Sequence, residues 1–435
     1  MRLRALDIFL RDEPVGLLFQ YGEGPGAIAR LRPLESFWRR SAPPVLSWAT
    51  LTAGEAERDA FWAGHATQRF FNGQDGRLPA FFQNMLPEGL LRRHLAQLRG
   101  CREDDHFEIL ATCGADLPGA VYARPAQLVR DEVERIVTQG HDALEVAVTA
   151  EPVAEATSLS GIQPKLSLVL QGGRYVQRTR DAQGLHTIAK LPTVEFPLLP
   201  EVEALSLQLA AAAGVEVCQA RLEPLAAIAG EVPFELGGAR QFLAVTRFDR
   251  RGGRDHVHCE DFAQVLGIQP ERKYGDDSAC YAIMAQLMLQ TPALGEAAAV
   301  ELLRRIAVNE LLGNYDAHVK NFGLVYQDGR TPRLAPAYDV VAYAAYLGGR
   351  GHALRFTPGG QTQARLSPRI LREFCSFCGL AEPIAHSTVR QVVKRAAAAW
   401  PDLINASGLL DGQKQRLLAH LASMPMVQSL RRRAG

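Results

Sequence analysis

The chain has 435 residues, and its 48 Lys and Arg against 47 Asp and Glu leave a formal net charge of +1, with 47% of positions hydrophobic. This is the composition of an ordinary globular protein, long enough for about two to three domains. The 38 Gly and 25 Pro follow no repeat, which excludes a collagen-like chain. The balanced charge argues against a dedicated nucleic-acid binder, which needs a basic excess.

Cysteine content and hydropathy indicate the compartment. The chain has seven scattered cysteines, an odd number that argues against a disulfide framework and favours a reducing environment. The most apolar long stretch, residues 205–217, is shorter than the roughly 18–20 residues that span a bilayer. The first residues also lack the apolar core of a signal peptide. We therefore expect a cytoplasmic protein without a membrane partner.

The first unit is expected over residues 1–125. Residues 3–8 and 15–20 have strand-like patterns and are joined by a turn-forming RDEP sequence, which predicts a β-hairpin. Residues 55–113 have helical periodicity, and an aspartate pair precedes the last helical segment. Such a pair predicts an N-cap.

Two further units follow a polar connection. Residues 126–250 contain several strand-like segments and one helical segment near 200–213, which predicts a β-rich lobe. Residues 251–435 are mostly helical in pattern. Their longest amphipathic segment, residues 295–313, has one apolar face. The positions of that face are 299, 303, 306, 307 and 311.

The most informative segment is GNYDAHVKNFG, residues 313–323. Asp316 precedes Asn321 by five positions, and Asp339 follows eighteen positions after Asn321. Phosphoryl transfer from ATP uses a carboxylate near the attacking hydroxyl, an amide oxygen as a metal ligand, and a second carboxylate that holds magnesium. Turn chemistry explains any one of these residues, but it does not require the later Asp339. The spacing favours a catalytic loop.

An upstream lysine and glutamate fit the same chemistry. Lys190 lies within the apolar strand-like segment HTIAKLP, and Glu203 lies in the helical segment that follows. Kinases pair such a strand lysine with the nucleotide phosphates and hold it with a helix glutamate. A lysine at a strand edge facing water is the alternative. The downstream catalytic loop favours the first interpretation.

The segment SLSGIQPKLSLVL, residues 158–170, is the candidate phosphate loop. It contains a single glycine, so it matches neither glycine-rich phosphate-binding pattern. Ser158, Ser160 and Gly161 are small enough to expose backbone N–H groups to a phosphate, and Lys165 adds a positive charge nearby.

In this order the motifs resemble the HipA family of bacterial serine/threonine kinases, the toxins of HipBA-type toxin–antitoxin modules. The resemblance covers nearly the whole chain, through NMLPEGLLRRHL, DDHFEILATCGADLPGAVY, SLSGIQPKLSLVL, IAKLP, AVTRFDRR, CEDFAQVLG, DAHVKNFG and AYDV. It implies an α+β, protein-kinase-like fold of two lobes. The N-terminal lobe is expected to be β-rich and to include an extra N-terminal subdomain, and the C-terminal lobe is expected to be all-α.

The resemblance assigns roles to the catalytic loop. Asp316 matches the catalytic aspartate, with His318 and Lys320 beside it. Asn321 and Asp339 match the two ligands of Mg²⁺.

It also assigns an ATP site, in which Lys190 contacts the phosphates and the hinge, Val245 to Phe248, offers main-chain groups to adenine. Ser158 matches a loop serine that the family phosphorylates on itself, and Ser160 is the rival acceptor. Thr246 replaces an acidic hinge residue. The expected ATP-binding residues are Ser160, Gly161, Lys165, Lys190, Glu203, Val245, Thr246, Arg247 and Phe248.

The function implied by the resemblance is an ATP- and Mg²⁺-dependent serine/threonine kinase that inhibits growth. Its expected partners are a helix-turn-helix antitoxin of HipB type and a protein substrate such as an aminoacyl-tRNA synthetase, with DNA contacted only through the antitoxin. Two alternatives remain open. One is a small-molecule or lipid kinase, and the other is a catalytically silent co-repressor subunit of a DNA-binding antitoxin complex.

Overall fold

The computed structural model covers most of the chain. The residues that it describes are 2–128, 145–146, 149–153, 156–159, 161, 163–177, 182–236, 238–253, 255–349 and 351–434. Ser160, one of the expected phosphate-loop residues, lies outside this set.

The N-terminal subdomain is built on a five-stranded sheet. Its antiparallel order is β3-β2-β1-β4, and β5 pairs with β1 in parallel. The predicted hairpin is confirmed as β1 and β2. The strands are β1 (Arg2–Leu10), β2 (Glu13–Tyr21), β3 (Ile28–Pro33), β4 (Val121–Pro125) and β5 (Glu145–Val146).

Five helices follow the third strand, and their apolar faces share one core with the sheet. The predicted N-cap of the last helix is confirmed, because the Asp105 carboxylate accepts a hydrogen bond from the Glu108 N–H at 3.1 Å. The helices are α1 (Glu35–Trp38), α2 (Glu55–Ala63), α3 (Ala80–Gln83), α4 (Gly89–Arg99) and α5 (His106–Cys113).

The N-terminal lobe contains a second five-stranded sheet in the order β7-β6-β8-β10-β9. One helix, α6 (Leu199–Ala212), connects β8 to β9, as the sequence predicts. The strands are β6 (Lys165–Gln171), β7 (Arg174–Gln177), β8 (Leu185–Lys190), β9 (Ala220–Pro224) and β10 (Gln241–Thr246).

The C-terminal lobe is mainly helical. The amphipathic segment forms α9, and all five positions of its predicted apolar face are buried. The helices are α7 (Phe262–Val265), α8 (Tyr281–Gln290), α9 (Gly295–Leu312), α10 (Pro368–Cys378), α11 (Glu382–Ala406), α12 (Asp411–Ser423) and α13 (Pro425–Ala434).

The expectation of an all-α C-terminal lobe is wrong in one respect. The strands β11 (His258–Asp261), β12 (Gly323–Tyr326) and β13 (Arg333–Leu334) form a three-stranded sheet. Leu324 packs into the main core of the lobe, while Val325 packs on the other side of the strand. A short apolar strand buried on both faces lacks the alternation that identifies strands in a sequence. Within the described part of the chain, no helix has both the length and the apolar character needed to cross a bilayer.

Candidate active site

A buried lysine lies between two carboxylates where the lobes meet. The Lys190 ammonium, at the end of β8, lies 2.5 Å from Glu203 Oε1 on α6 and 2.5 Å from Asp339 Oδ1 in the C-terminal lobe. Lys190 is only 6% exposed. A buried lysine needs such partners, so the surface alternative for Lys190 does not fit the structure.

The pKa values of these three groups depend on one another. Burial alone would lower the pKa of Lys190, but the negative charges of Asp339 and Glu203 hold it well above its usual value. Burial would raise the pKa of Asp339, but the ammonium groups of Lys190 and Lys165 hold it well below the usual range. Burial dominates for Glu203 and raises its pKa. The strong coupling indicates a lysine that stays charged.

A second lysine lies directly across the sheet. Lys165 on β6 is the register partner of Lys190 on β8, and both side chains are buried. Burial lowers the pKa of Lys165 to about 8, although the charge of Asp339 opposes this. Like charges directly opposite each other destabilise a sheet. Two positive groups held together in a cleft form a site suited to a polyanion.

The catalytic loop connects α9 to β12 and contains both Asp316 and Asn321. The Asn321 amide N–H group contacts both the Asp316 and the Asp339 main-chain oxygens, each at 3.4 Å. Burial raises the pKa of Asp316. Asp339 has a positive φ of 57°, a conformation that aspartate tolerates at some cost and that recurs at functional sites.

The donor set suits magnesium. Mg²⁺ prefers oxygen ligands and is usually held by one or two carboxylates together with substrate phosphates. Because the Asn321 amide nitrogen contacts two carbonyl oxygens, its side-chain oxygen remains available as a hard ligand beside the Asp339 carboxylate. Asn321 and Asp339 therefore fit the metal-binding roles expected for them.

The other two residues of the loop occupy different environments. Burial lowers the pKa of His318 to about 4, so its imidazole is neutral at pH 7. The Lys320 ammonium is buried and donates to the Asn84 main-chain oxygen at 2.8 Å, with the Asp261 carboxylate at 3.3 Å. This ammonium links the loop to Asn84, which follows α3, and to Asp261, the last residue of β11. Lys320 therefore holds the loop in place.

The phosphate-loop residues are only partly described. Ser158 is fully buried, and its hydroxyl donates a hydrogen bond to the Met85 main-chain oxygen. Gly161 has a φ of 104°, and a Cβ at this position would lie 2.3 Å from the Lys165 ammonium nitrogen. The positive φ favours a glycine where the loop passes Lys165.

The hinge consists of the last two residues of β10, Val245 and Thr246, and the two residues that follow. The N–H groups of Thr246 and Arg247 point to opposite sides of the chain. The Thr246 N–H donates to the Gln219 carbonyl at 2.8 Å, and the Arg247 N–H donates to the His186 carbonyl at 3.0 Å on the other side. β10 ends at Thr246, and Phe248 lies in the turn that follows. The neighbouring strand β9 has already ended at that level.

One cleft collects most of the predicted residues. It has a cavity volume of about 180 Å³ and lies between the sheet of the N-terminal lobe and the catalytic loop. Asp316 and Glu203 do not line it: Glu203 contacts the Lys190 ammonium, and Asp316 contacts the Tyr274 hydroxyl. The predicted residues that line the cleft are Ser158, Gly161, Lys165, Lys190, Val245, Thr246, Arg247, Phe248, His318, Lys320, Asn321 and Asp339.

Sequence reasoning missed several residues next to the site. Tyr274 donates a hydrogen bond from its hydroxyl to Asp316 Oδ1 at 2.9 Å. Glu88 pairs with Lys273 at 3.0 Å and lies 3.7 Å from Lys320. The signal available in the sequence is weak, because each contact joins segments far apart in the chain and no spacing rule connects them.

Comparison with known proteins identifies two matching domains. Residues 6–124 match the family model of the HipA N-terminal domain, and residues 157–400 match that of the HipA-like C-terminal domain. Together the two models cover most of the chain.

Relatives match over comparable lengths. A Sinorhizobium fredii protein named "Putative kinase Y4dM" is 32% identical over 406 residues, which is 92% of each chain. The Shewanella oneidensis serine/threonine-protein kinase toxin HipA is 23% identical over 377 residues, 80% of this chain and 82% of that one. A solved complex of Shewanella oneidensis HipA, HipB and operator DNA matches with a TM-score of 0.65 and 20% identity, covering 98% of this chain and 99% of that one. This structural likeness confirms the predicted two-lobe fold.

Proposed function

The chain belongs to the HipA family of kinases, and from this premise we propose that it is an ATP- and Mg²⁺-dependent serine/threonine protein kinase that acts as a growth-inhibiting toxin. The observation that carries the proposal is Lys190, buried between Glu203 and Asp339 at 2.5 Å from each. A catalytically silent co-repressor subunit would gain no stability from this arrangement, because a buried ion triad is seldom the most stable way to fill a core.

The nucleotide phosphates are proposed to lie between Lys165 and Lys190. The two ammonium groups are register partners on β6 and β8. Phosphate oxygens would relieve the repulsion between them, which is a gain available only to an anionic ligand.

The acceptor hydroxyl is proposed to be activated by Asp316. Bound Mg²⁺ would neutralise the charge on the transferring group, and Asn321 and Asp339 are the residues that would hold it. Asn321 also contacts the Asp316 and Asp339 main-chain oxygens, so the acceptor side and the metal side of the site are positioned by one amide.

Adenine is proposed to bind the hinge through main-chain groups. The proposed acceptor and donor are the Thr246 carbonyl and the Phe248 N–H, and both residues line the cleft. Because both groups belong to the main chain, the side chain at Thr246 does not need to be acidic.

Ser158 remains the proposed site of self-phosphorylation, with Ser160 as the rival. Ser158 is fully buried and donates to Met85, so the loop must leave this position before its hydroxyl reaches a phosphate donor. A phosphoserine carries about −1.5 to −2 charge and does not fit the buried position again. Self-phosphorylation would therefore hold the loop out and stop ATP binding.

The proposed partners follow from the family. The solved relative is a complex of HipA with HipB and operator DNA, which supports an antitoxin of HipB type. Contact with DNA only through that antitoxin is part of the proposal. The proposed substrate is a translation component such as an aminoacyl-tRNA synthetase, and the proposed compartment is the cytoplasm.

Transfer from labelled ATP tests this function. In Asp316→Asn and in Asp339→Asn we expect transfer to a serine or threonine acceptor to fall by at least about 100-fold, since loss of one such group costs several kcal/mol of barrier. Asp328→Asn changes an exposed carboxylate in the β12–β13 turn and is the matched control. Wild-type transfer in Asp316→Asn would contradict the proposal. Transfer to a small molecule or lipid in place of protein would support the alternative kinase class.

A further inference from the structure

An unassigned tyrosine hydroxyl contacts the candidate catalytic aspartate. Tyr274 lies in the segment between Gly267 and Gly275, and its hydroxyl donates to Asp316 Oδ1 at 2.9 Å. The residue is 48% exposed. A general base must lie within about 2.6–3.2 Å of the oxygen whose proton it removes, and this contact meets that requirement.

The tyrosine is held in this position from two sides. Its ring meets the His318 ring edge-on, with the centroids 5.4 Å apart. The preceding residue, Lys273, pairs with Glu88 at 3.0 Å, and its carbonyl accepts from the Val319 N–H at 3.2 Å. The segment is therefore attached both to the catalytic loop and to the N-terminal subdomain.

The chemical state of the phenol agrees with an acceptor. Burial and the negative charge of Asp316 place the pKa of Tyr274 above its usual value, so the phenol keeps its proton and, like a serine hydroxyl, needs a base. A purely structural role would leave the same hydrogen bond in place but would never produce a phosphorylated phenol.

We propose that Tyr274 is a phosphoryl acceptor of its own active site. The proposal rests on the proposed kinase function. In the transfer step the phenolic oxygen bonds to the γ-phosphorus of ATP, the bond from that phosphorus to the β,γ-bridging oxygen breaks, and ADP leaves. The phenolic proton passes to Asp316.

The modification would also free the acceptor site. A phosphate on Tyr274 adds about −1.5 to −2 charge beside the carboxylates of Asp316 and Glu88. Repulsion would move the segment away from Asp316. An external hydroxyl would then be able to approach the same carboxylate oxygen.

Phosphosite mapping tests the proposal. The purified full chain is treated with phosphatase, freed of it, and incubated with Mg²⁺ and γ-labelled ATP, and peptides containing Tyr274 are quantified by mass spectrometry. We expect phosphotyrosine at Tyr274, with a first-order rate that is unchanged over a tenfold range of protein concentration. Asp316→Asn should lower that rate at least 100-fold. Tyr346→Phe, which removes a hydroxyl bonded to the Pro197 carbonyl, is the matched control and should leave the rate unchanged.

The outcomes separate this inference from the proposed function. Phosphate on Ser158 or on an added protein acceptor, with Tyr274 unmodified, would overturn the inference and leave the kinase function standing. A rate proportional to protein concentration would overturn transfer within one molecule. Absence of transfer to every acceptor would overturn both proposals. In Tyr274→Phe, a Mg-ATP thermal shift equal to that of the wild type would show that the variant is folded.

Discussion

A buried charge cluster joins the N-terminal subdomain to the hinge, and its disruption makes a sharp prediction. Asp116 accepts from Arg250 at 2.8 Å and from the Thr157 hydroxyl at 2.5 Å. Arg250 also donates to Asp249 at 2.6 Å, and Asp249 accepts from Arg247 at 2.7 Å. Two arginines and two aspartates therefore balance, and all four residues are buried.

The substitution Asp116→Asn keeps the shape of the side chain but leaves the cluster with one unbalanced positive charge. Removing one partner from a buried ion pair costs about 3–5 kcal/mol. For a cooperative unit of about 250 residues, 3 kcal/mol corresponds to a fall in melting temperature of about 6 °C. The change also loosens the base of the phosphate loop, because the Asp116 carboxylate holds Thr157 and the Ser158 N–H bonds the Asp116 carbonyl at 3.0 Å.

The assay is thermal unfolding of the wild type and two Asp→Asn variants, with and without Mg-ATP. Asp104→Asn is the matched control, because Asp104 also pairs with an arginine, Arg102, at 2.6 Å, but both side chains are exposed. Exposed pairs contribute little to stability, so the control should melt with the wild type. A melting temperature for Asp116→Asn within 1 °C of that control would refute the reasoning.

Two other predictions concern a titratable group and the phosphate loop. Burial raises the pKa of Glu260 to about 7 from a usual value of 4.5, against hydrogen bonds from Ser47, Tyr326 and the Trp48 N–H that lower it. Because the folded state favours protonated Glu260, this group contributes stability that is complete below about pH 4.5 and is lost as the pH rises through 7. Relative to Glu260→Gln, the wild type should therefore melt higher at pH 5 than at pH 7.5, and a pH-independent difference would contradict this. Ser158→Asp should abolish the Mg-ATP thermal shift, worth about 2.7 kcal/mol at a concentration 100 times Kd, while Ser158→Ala keeps it; an undiminished shift in the aspartate variant would count against phosphate-loop control.

Features encoded by local spacing were predictable from the sequence. The five apolar positions of α9 repeat at helical intervals, and all are buried. The sequence pairs Lys190 with Glu203 as members of a strand and the next helix, and in the structure the two side chains lie 2.5 Å apart. In both cases the pattern lies within one element or between adjacent elements.

Contacts between distant segments were not predictable. The charged run RFDRR looks like an exposed turn, yet Arg247, Asp249 and Arg250 are buried. They are buried because Asp116, more than 130 positions earlier, supplies the missing negative charge. The sequence around Tyr274 contains no pattern that predicts its contact with Asp316, which lies 42 positions away. Such contacts depend on how the lobes pack against each other, and the periodicity of the sequence carries no information about that packing.

The N-terminal subdomain makes direct hydrogen bonds to the catalytic loop and to the phosphate loop. Asn84 accepts from the buried ammonium of Lys320 in the catalytic loop, and its amide donates to the Ile268 carbonyl at 2.7 Å. Met85, its neighbour, accepts the hydroxyl of Ser158 in the phosphate loop. Two adjacent residues of one subdomain therefore hold both of the loops that face the cleft. Without Asn84, the Lys320 ammonium would lose its nearest acceptor and keep only the carboxylates of Asp261 at 3.3 Å and Glu88 at 3.7 Å, at a cost typical of an under-satisfied buried charge. It follows that a contact that moves this subdomain would change the catalytic loop and the phosphate loop together.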